Sequence, residues 1–124
     1  MQSYDICLVG ATGLVGQTFL RLLEEVKFPI NRLKLLASKR SAGKTIYFKS
    51  QPFIVEELTE SSFDGYQLAF FSAGGQVSKT YAPIARSRGN CHIYVYAERT
   101  GIRTQYNLGG FPTGNGRSNW RSSS

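Results

Sequence analysis

The 124-residue sequence contains one histidine, two cysteines and no long apolar stretch. Without a run of ~18 apolar residues there is no candidate membrane helix, and no membrane partner is expected. The N-terminal MQSYDICLVG carries no basic segment before its short apolar run, which leads straight into glycines and so does not read as a signal peptide. Cys7 and Cys91 do not make a disulfide framework, and a reducing, cytoplasmic setting is expected. No cluster of Cys, His and acids has metal-ligand spacing, so no metal site is expected. Blocks of like charge are missing too. The net charge is +7, with +4 over residues 1–89 and +3 over residues 90–124, scattered and without a Lys/Arg-rich block. A nucleic-acid partner is therefore not expected, because no basic stripe forms.

The hydrophobic fraction of 41% is enough for the core of one domain. Residues 4–9, YDICLV, form an apolar run ending at Gly10 and read as a buried strand. Val15, Phe19, Leu22, Leu23 and Val26 then recur with the spacing of an amphipathic helix, which Phe28-Pro29 closes. Residues 32–37, RLKLLA, read as a second strand, so the chain opens with a βαβ unit, expected to have a right-handed crossover. After a polar loop at 38–43, two short β-like runs at 45–48 and 53–55 suggest a hairpin or a pair of edge strands. Residues 56–65 are polar and turn-rich. Residues 68–71, LAFF, read as a fully apolar strand, and Val77, Tyr81, Ile84 and Ala85 share a helical face. That places a helix at about 78–88 with Pro83 near its first turn. A further strand is expected at 92–96. From 97 onward Gly, Ser, Asn, Thr and Arg dominate without periodicity. The expected organisation is a Rossmann-like domain over 1–96 and an irregular, disordered tail over 97–124. The fold class is α/β, a partial doubly wound parallel sheet.

Gly10-Ala11-Thr12-Gly13-Leu14-Val15-Gly16 is a G-x-x-G-x-x-G loop between the first strand and the first helix. In a dinucleotide fold Gly10 would permit the sharp turn. Gly13 would let a pyrophosphate approach the backbone, and Gly16 would let the helix pack closely on the sheet. The helix N-terminus would present N–H groups to the phosphates. At the end of the second strand an NAD-binding fold carries an acid for the ribose 2′-hydroxyl. Here the stretch is Ala37-Ser38-Lys39-Arg40-Ser41, two cations and two hydroxyls, which suits a 2′-phosphate and argues for NADP. Ser72-Ala73-Gly74-Gly75 follows the LAFF strand, where small residues would let a cofactor pass close to the backbone. An ordinary turn explains those four residues equally well.

Taken in order, LVGATGLVGQTFLRLLEE, LLASKRSAGK, VEELTESSFDGYQLAFFSAGG and VSKTYAPIA resemble the N-terminal cofactor domain of the aspartate-semialdehyde dehydrogenase family, from Tyr4 to Gly89. The resemblance implies an NADPH-dependent oxidoreductase of amino-acid biosynthesis that reduces β-aspartyl phosphate to the semialdehyde, homo-oligomeric at full length. It implies that Thr12, Gly13, Leu14 and Val15 line the pyrophosphate. Arg40 and Ser41 would take the 2′-phosphate, and Ser72, Ala73 and Gly74 would border the cofactor. The family continues with an Asp-Asn-Ser/Thr-Ser-Ala-Phe-Arg type segment, a Pro-Asn-Cys nucleophile and a later histidine. Residues 94–100, YVYAERT, do not match the first of these, and the role of the family arginine is not carried to Arg99.

Cys91 and His92 invite a nucleophile–base reading, but neighbours in a strand point to opposite faces, so no catalytic residue is assigned. The expectation is a cofactor-domain fragment, inactive alone. From about Asn90 its residues would not be the family's natural continuation, arising from a frameshift, an alternative splice or a truncated gene. Two other readings stay open: the cofactor domain of an N-acetyl-glutamyl-phosphate reductase, and a noncatalytic nucleotide- or nucleic-acid-binding module.

Overall fold

The computed structural model describes residues 3–73, 75–98, 101–107 and 120–123. Strand β1 (Tyr4–Val9) leads through the glycine turn into helix α1 (Leu14–Glu25), which returns to β2 (Ile30–Ala37). A hairpin of β3 (Thr45–Phe48) and β4 (Gln51–Ile54) follows, then the two-residue β5 (Glu56–Glu57) and a short 3-10 helix (Glu60–Phe63). Strand β6 (Leu68–Phe71), helix α2 (Gly75–Ser87) and β7 (Cys91–Glu98) form the next unit, followed by β8 (Gly101–Asn107) and β9 (Trp120–Ser123).

Among the described residues the main sheet runs β5-β2-β1-β6-β7-β8-β9. Neighbours from β5 to β7 pair in parallel, and β8 and β9 are added antiparallel. The apolar runs of β1 and β6 follow from this arrangement, since both faces of the sheet are covered. Ile6, Leu8, Leu35, Phe70 and Val95 pack on the face under Phe19, Leu20 and Leu23 of α1. Cys7, Val9, Leu36, Ala69 and Phe71 fill the other face with Ala82 and Ala85 of α2 and Phe63 of the 3-10 helix. Strict alternation along β1 thus divides one strand between two cores. Phe19 stacks against Phe70 at 4.7 Å and Phe63 against Phe71 at 5.9 Å, one aromatic pair per face. The fold is α/β and Rossmann-like.

Strands β1, β3 and β6 fall where the sequence puts them; several other elements differ for physical reasons. Val26 was expected on the buried stripe of α1, but the helix ends one residue earlier and Val26 is exposed, while Leu20 is buried. The hairpin turns at Lys49 and Ser50, both with positive φ. Those are the signs of the two-residue turn that strand twist favours, made here without the glycine that usually announces it. Helix α2 begins at Gly75, so Pro83 lies inside it and not in its first turn. Pro83 and Lys79 are both exposed, so the carbonyl that the proline leaves unbonded lies on the solvent side. The buried row Ser78, Ala82 and Ala85 is undisturbed.

The largest difference concerns the tail 97–124, read from composition as irregular: residues 97–98, 101–107 and 120–123 are in strands, and the rest of the tail lies outside the described residues. Strand β7 runs to Glu98, β8 pairs with it from His92↔Asn107 to Glu98↔Gly101, and β9 pairs with β8. Ile102, Thr104 and Tyr106 are good strand formers at every second position, a signal too short to stand out among the surrounding polar residues.

Candidate functional site

Strand β1 lies between β2 and β6, so the chain leaves it to one side and later returns on the other. That reversal opens a crevice beyond the carboxyl ends of the parallel strands, where α/β sheets bind their ligands. A cleft of about 600 Å³ lies there, lined by Gly10, Thr12 and Gly13 from the β1–α1 turn and by Ser38 and Lys39 after β2. Ser72 and Ala73 after β6 complete that rim. Val9, Ala37, Leu58, Val77 and Tyr81 give it apolar walls, and Glu57 adds an acid.

The three glycines answer to different demands. Gly10 has φ +85°, and a Cβ there would come 2.8 Å from the Ala73 nitrogen. Gly16 is pressed against the Gly10 carbonyl, with the Ser72 hydroxyl 2.9 Å from where its Cβ would lie. Both are required by the protein itself. Gly13 is different: its φ of −79° suits any residue, and a Cβ would meet only the Gly10 oxygen at an ordinary 3.5 Å. It lines the cleft and caps α1 without a side-chain hydrogen bond, and no acid sits in the first turn of the helix. A glycine that packing does not need, at an uncapped helix start, fits the close approach of an anionic group to the backbone.

The turn is held from the opposite loop. Ser72 donates its hydroxyl to the Val9 carbonyl at 2.9 Å, with the Gly10 carbonyl at 3.1 Å, and its N–H donates to Val9 at 2.9 Å. The Gly10 and Ala11 amides both donate to the Leu36 carbonyl, tying the turn to β2. The Gln17 amide group donates to the Thr12 carbonyl at 2.9 Å.

The structure brings Gly10, Thr12, Gly13, Ser38, Ser72 and Ala73 of the sequence-derived residues to one cleft. Others it places elsewhere. Leu14 is 80% exposed and lies in a separate groove against Ile46, Tyr47 and Phe48. Val15 packs into the core under α1, and Gly16 is buried behind Gly10. Arg40 and Ser41 are not among the residues lining the cleft. The Ser41 and Ala42 amides donate to the Ser38 carbonyl, making a tight turn that leaves Lys39 on the cleft wall and Arg40 exposed beside it. Gly74 lies outside the described residues.

Glu57, Leu58, Val77 and Tyr81 were not among the sequence-derived site residues, while Lys39, read with Arg40 as a cation for a 2′-phosphate, lines the cleft. Val77 and Tyr81 carry a usable signal, since they share a helical face that begins beside the cleft. Glu57 carries none in its local pattern: Glu56-Glu57 reads as turn, and only the pairing Ala37↔Glu57 brings it to the end of β2.

Cys91 is the first residue of β7 and pairs with Leu68, the first residue of β6. The cleft begins beyond the last residue of β6, about 13 Å further along at the rise of a strand. Burial raises the Cys91 thiol pKa and pushes that of Cys7 up to about 12, the reverse of an activated nucleophile. Among the described residues there is no group of His, Cys, Asp and Glu that could hold a metal ion, and no helix is long and apolar enough to cross a membrane.

The family model for the semialdehyde dehydrogenase NAD-binding domain matches residues 5–95, most of the chain. The chain belongs to this family. The domain of this family binds a nicotinamide dinucleotide. An aspartate-semialdehyde dehydrogenase from Legionella pneumophila is 54% identical over 85 residues, 68% of this chain and 24% of that protein. Aspartate-semialdehyde dehydrogenase 2 of Vibrio cholerae is 43% identical over 107 residues, 86% of this chain and 31% of that protein. A match of that length in a 124-residue chain reaches residue 107 or beyond, past Gly89, where the sequence motifs end. A crystal structure of aspartate semialdehyde dehydrogenase II from Vibrio cholerae superposes with a TM-score of 0.73 at 41% identity, covering 77% of this chain and 31% of that one. A probable aspartate-semialdehyde dehydrogenase from Pseudomonas aeruginosa gives 0.72 at 39% identity, covering 76% and 28%. The semialdehyde dehydrogenase domain described here spans about a quarter of the length of the first two bacterial relatives it matches.

Proposed function

We propose that the chain binds NADP in preference to NAD, as the cofactor-binding part of an enzyme that reduces β-aspartyl phosphate to aspartate semialdehyde. The observation that carries the reading is the loop 38–41, which sets Lys39 on the cleft wall with Arg40 next to it. Among the described residues neither cation is in an ion pair, so both are available to a 2′-phosphate. The dinucleotide supplies hydride chemistry when bound. The residues of this chain orient it: Gly13 and the start of α1 meet the pyrophosphate, and the half-buried Thr12 borders it. Ser72 and Ala73 shape the floor, and Leu58, Val77 and Tyr81 offer an apolar wall to the adenine.

Calorimetry with both dinucleotides tests the proposal. A charge-assisted phosphate contact contributes ~1.5–3 kcal/mol, so NADP should bind about tenfold or more tightly than NAD. Replacing Lys39 and Arg40 together by alanine should erase most of the difference. Equal affinities in the unaltered chain would sink it, and salt-sensitive retention on DNA would favour a nucleic-acid module instead.

A further inference from the structure

We infer that Glu57 is a specificity-determining residue of the dinucleotide cleft, set beside the 2′ position of the adenosine ribose in opposition to Lys39. The inference rests on the binding reading above and adds a residue to it. In the sequence, the end of β2 carries no acid, only Ser38, Lys39, Arg40 and Ser41. The sheet supplies one from the next strand. Glu56 pairs with Leu36 and Glu57 with Ala37, and the Leu58 amide donates to the Ala37 carbonyl at 2.9 Å. Glu57 is therefore fixed alongside the last residue of β2, one step before Ser38 and Lys39. In this kind of fold an acid at the end of β2 accepts hydrogen bonds from a ribose hydroxyl, and Glu57 carries a carboxylate at the same level on the adjacent strand.

Glu57 lines the same cleft as Ser38 and Lys39, and it is exposed. Among the described residues it is not in an ion pair or a side-chain hydrogen bond, and neither is Lys39. The two charges are not neutralised against each other or by neighbours, so each acts on what enters the cleft. A carboxylate accepts from a 2′-hydroxyl and repels a 2′-phosphate, while the ammonium group does the reverse to the phosphate. Discrimination between the two dinucleotides is then the difference of two opposed contributions. The cleft admits both cofactors, with a smaller preference than its cations alone would give.

The test is the ratio of dissociation constants for NAD and NADP, measured by calorimetry on the full chain at low and high salt. E57Q keeps the shape of the side chain and lies on an exposed two-residue strand, so the fold should persist, which circular dichroism checks. Removing one like charge near the 2′-phosphate should raise the preference for NADP about fivefold, mainly by tightening NADP, and the gain should shrink as salt rises. K39M should move the ratio the other way. A folded E57Q chain that binds both dinucleotides with an unchanged ratio would overturn this inference and leave the binding reading standing. An unaltered chain that binds neither dinucleotide would overturn both.

Discussion

Gly16 lies directly against the carbonyl of Gly10, so the first turn of α1 and the end of β1 share a space that holds no side chain. The Ser72 hydroxyl closes the same space from the β6 side, which makes the three residues one packed unit beneath the cleft. Gly13, three residues from either glycine, has no such neighbour.

The same substitution should therefore have opposite outcomes at Gly16 and Gly13. Gly16→Ala forces a methyl group against backbone, and overpacking of that kind costs about 1–3 kcal/mol. Urea unfolding should show a lower midpoint and an unfolding free energy reduced by that amount. Gly13→Ala adds a methyl group where the protein has room, so stability should change by less than about 1 kcal/mol. Dinucleotide affinity should nevertheless fall about tenfold or more, because the methyl group stands where the pyrophosphate meets the backbone. Unaltered affinity in the Gly13 variant would make that loop a structural turn only.

Stability at alkaline pH should be governed largely by Cys7. Its side chain is fully buried in β1, and burial raises the thiol pKa from 9.0 to about 12. The raised value means that the folded state keeps a proton which the unfolded state begins to lose near 9. The stabilisation is complete below that pH and is lost as the pH rises from about 9 towards 12. Burial raises Cys91 and Tyr66 in the same direction, so their contributions add. Cys7→Ala should lower stability at neutral pH through the small cavity it leaves, and it should flatten the alkaline decline without abolishing it. An identical decline in both proteins would remove Cys7 as its cause.

Much of this architecture is legible in the residues. The buried run YDICLV, the glycine turn and the stripe through Phe19 and Leu23 define the β1–α1 unit, and LAFF defines β6. Elements decided by their partners are not legible. Glu56-Glu57 becomes a strand only because the edge of β2 is open beside it. Pro83 is accommodated inside α2 because it is exposed while the packed row is Ser78, Ala82 and Ala85. At the site, the glycines could be found from their spacing, but their division into two structural positions and one free one required the contacts of Ser72 and Ala73. Arg40 was the more conspicuous cation in the sequence, yet the Ser38–Ser41 turn gives the cleft wall to Lys39.

The isolated chain should show no semialdehyde dehydrogenase turnover. An acyl-transfer step needs a thiolate close to the cofactor. Cys7 is sealed in the core, and Cys91 lies at the opposite end of the sheet from the cleft, with its thiol pKa raised by burial. Incubation with aspartate semialdehyde, phosphate and NADP should give no NADPH absorbance above a protein-free control. Turnover that disappears in Cys91→Ser would show that this thiol reaches the cofactor after all.

The last prediction concerns the antiparallel end of the sheet. Composition alone suggests that deleting the tail from residue 97 onward would be harmless. The strand pairing argues otherwise. Every residue from His92 to Glu98 has a partner in β8, and β9 in turn covers the other edge of β8. Removing residues 99–124 would leave β7 as an open edge whose N–H and C=O groups lack partners and could pair with another chain. Val95, buried in the core under α1, sits on that strand, so loosening β7 also loosens the contact with Phe19 and Leu23. The truncated chain should melt at lower temperature, by about 4 °C or more for each kcal/mol lost, and should aggregate at concentrations where the full chain does not. Amide exchange on the full chain should show residues 101–107 protected to a degree comparable with β7. Rapid exchange throughout 101–107, together with an unchanged melting temperature after truncation, would return this segment to the irregular tail that its composition suggests.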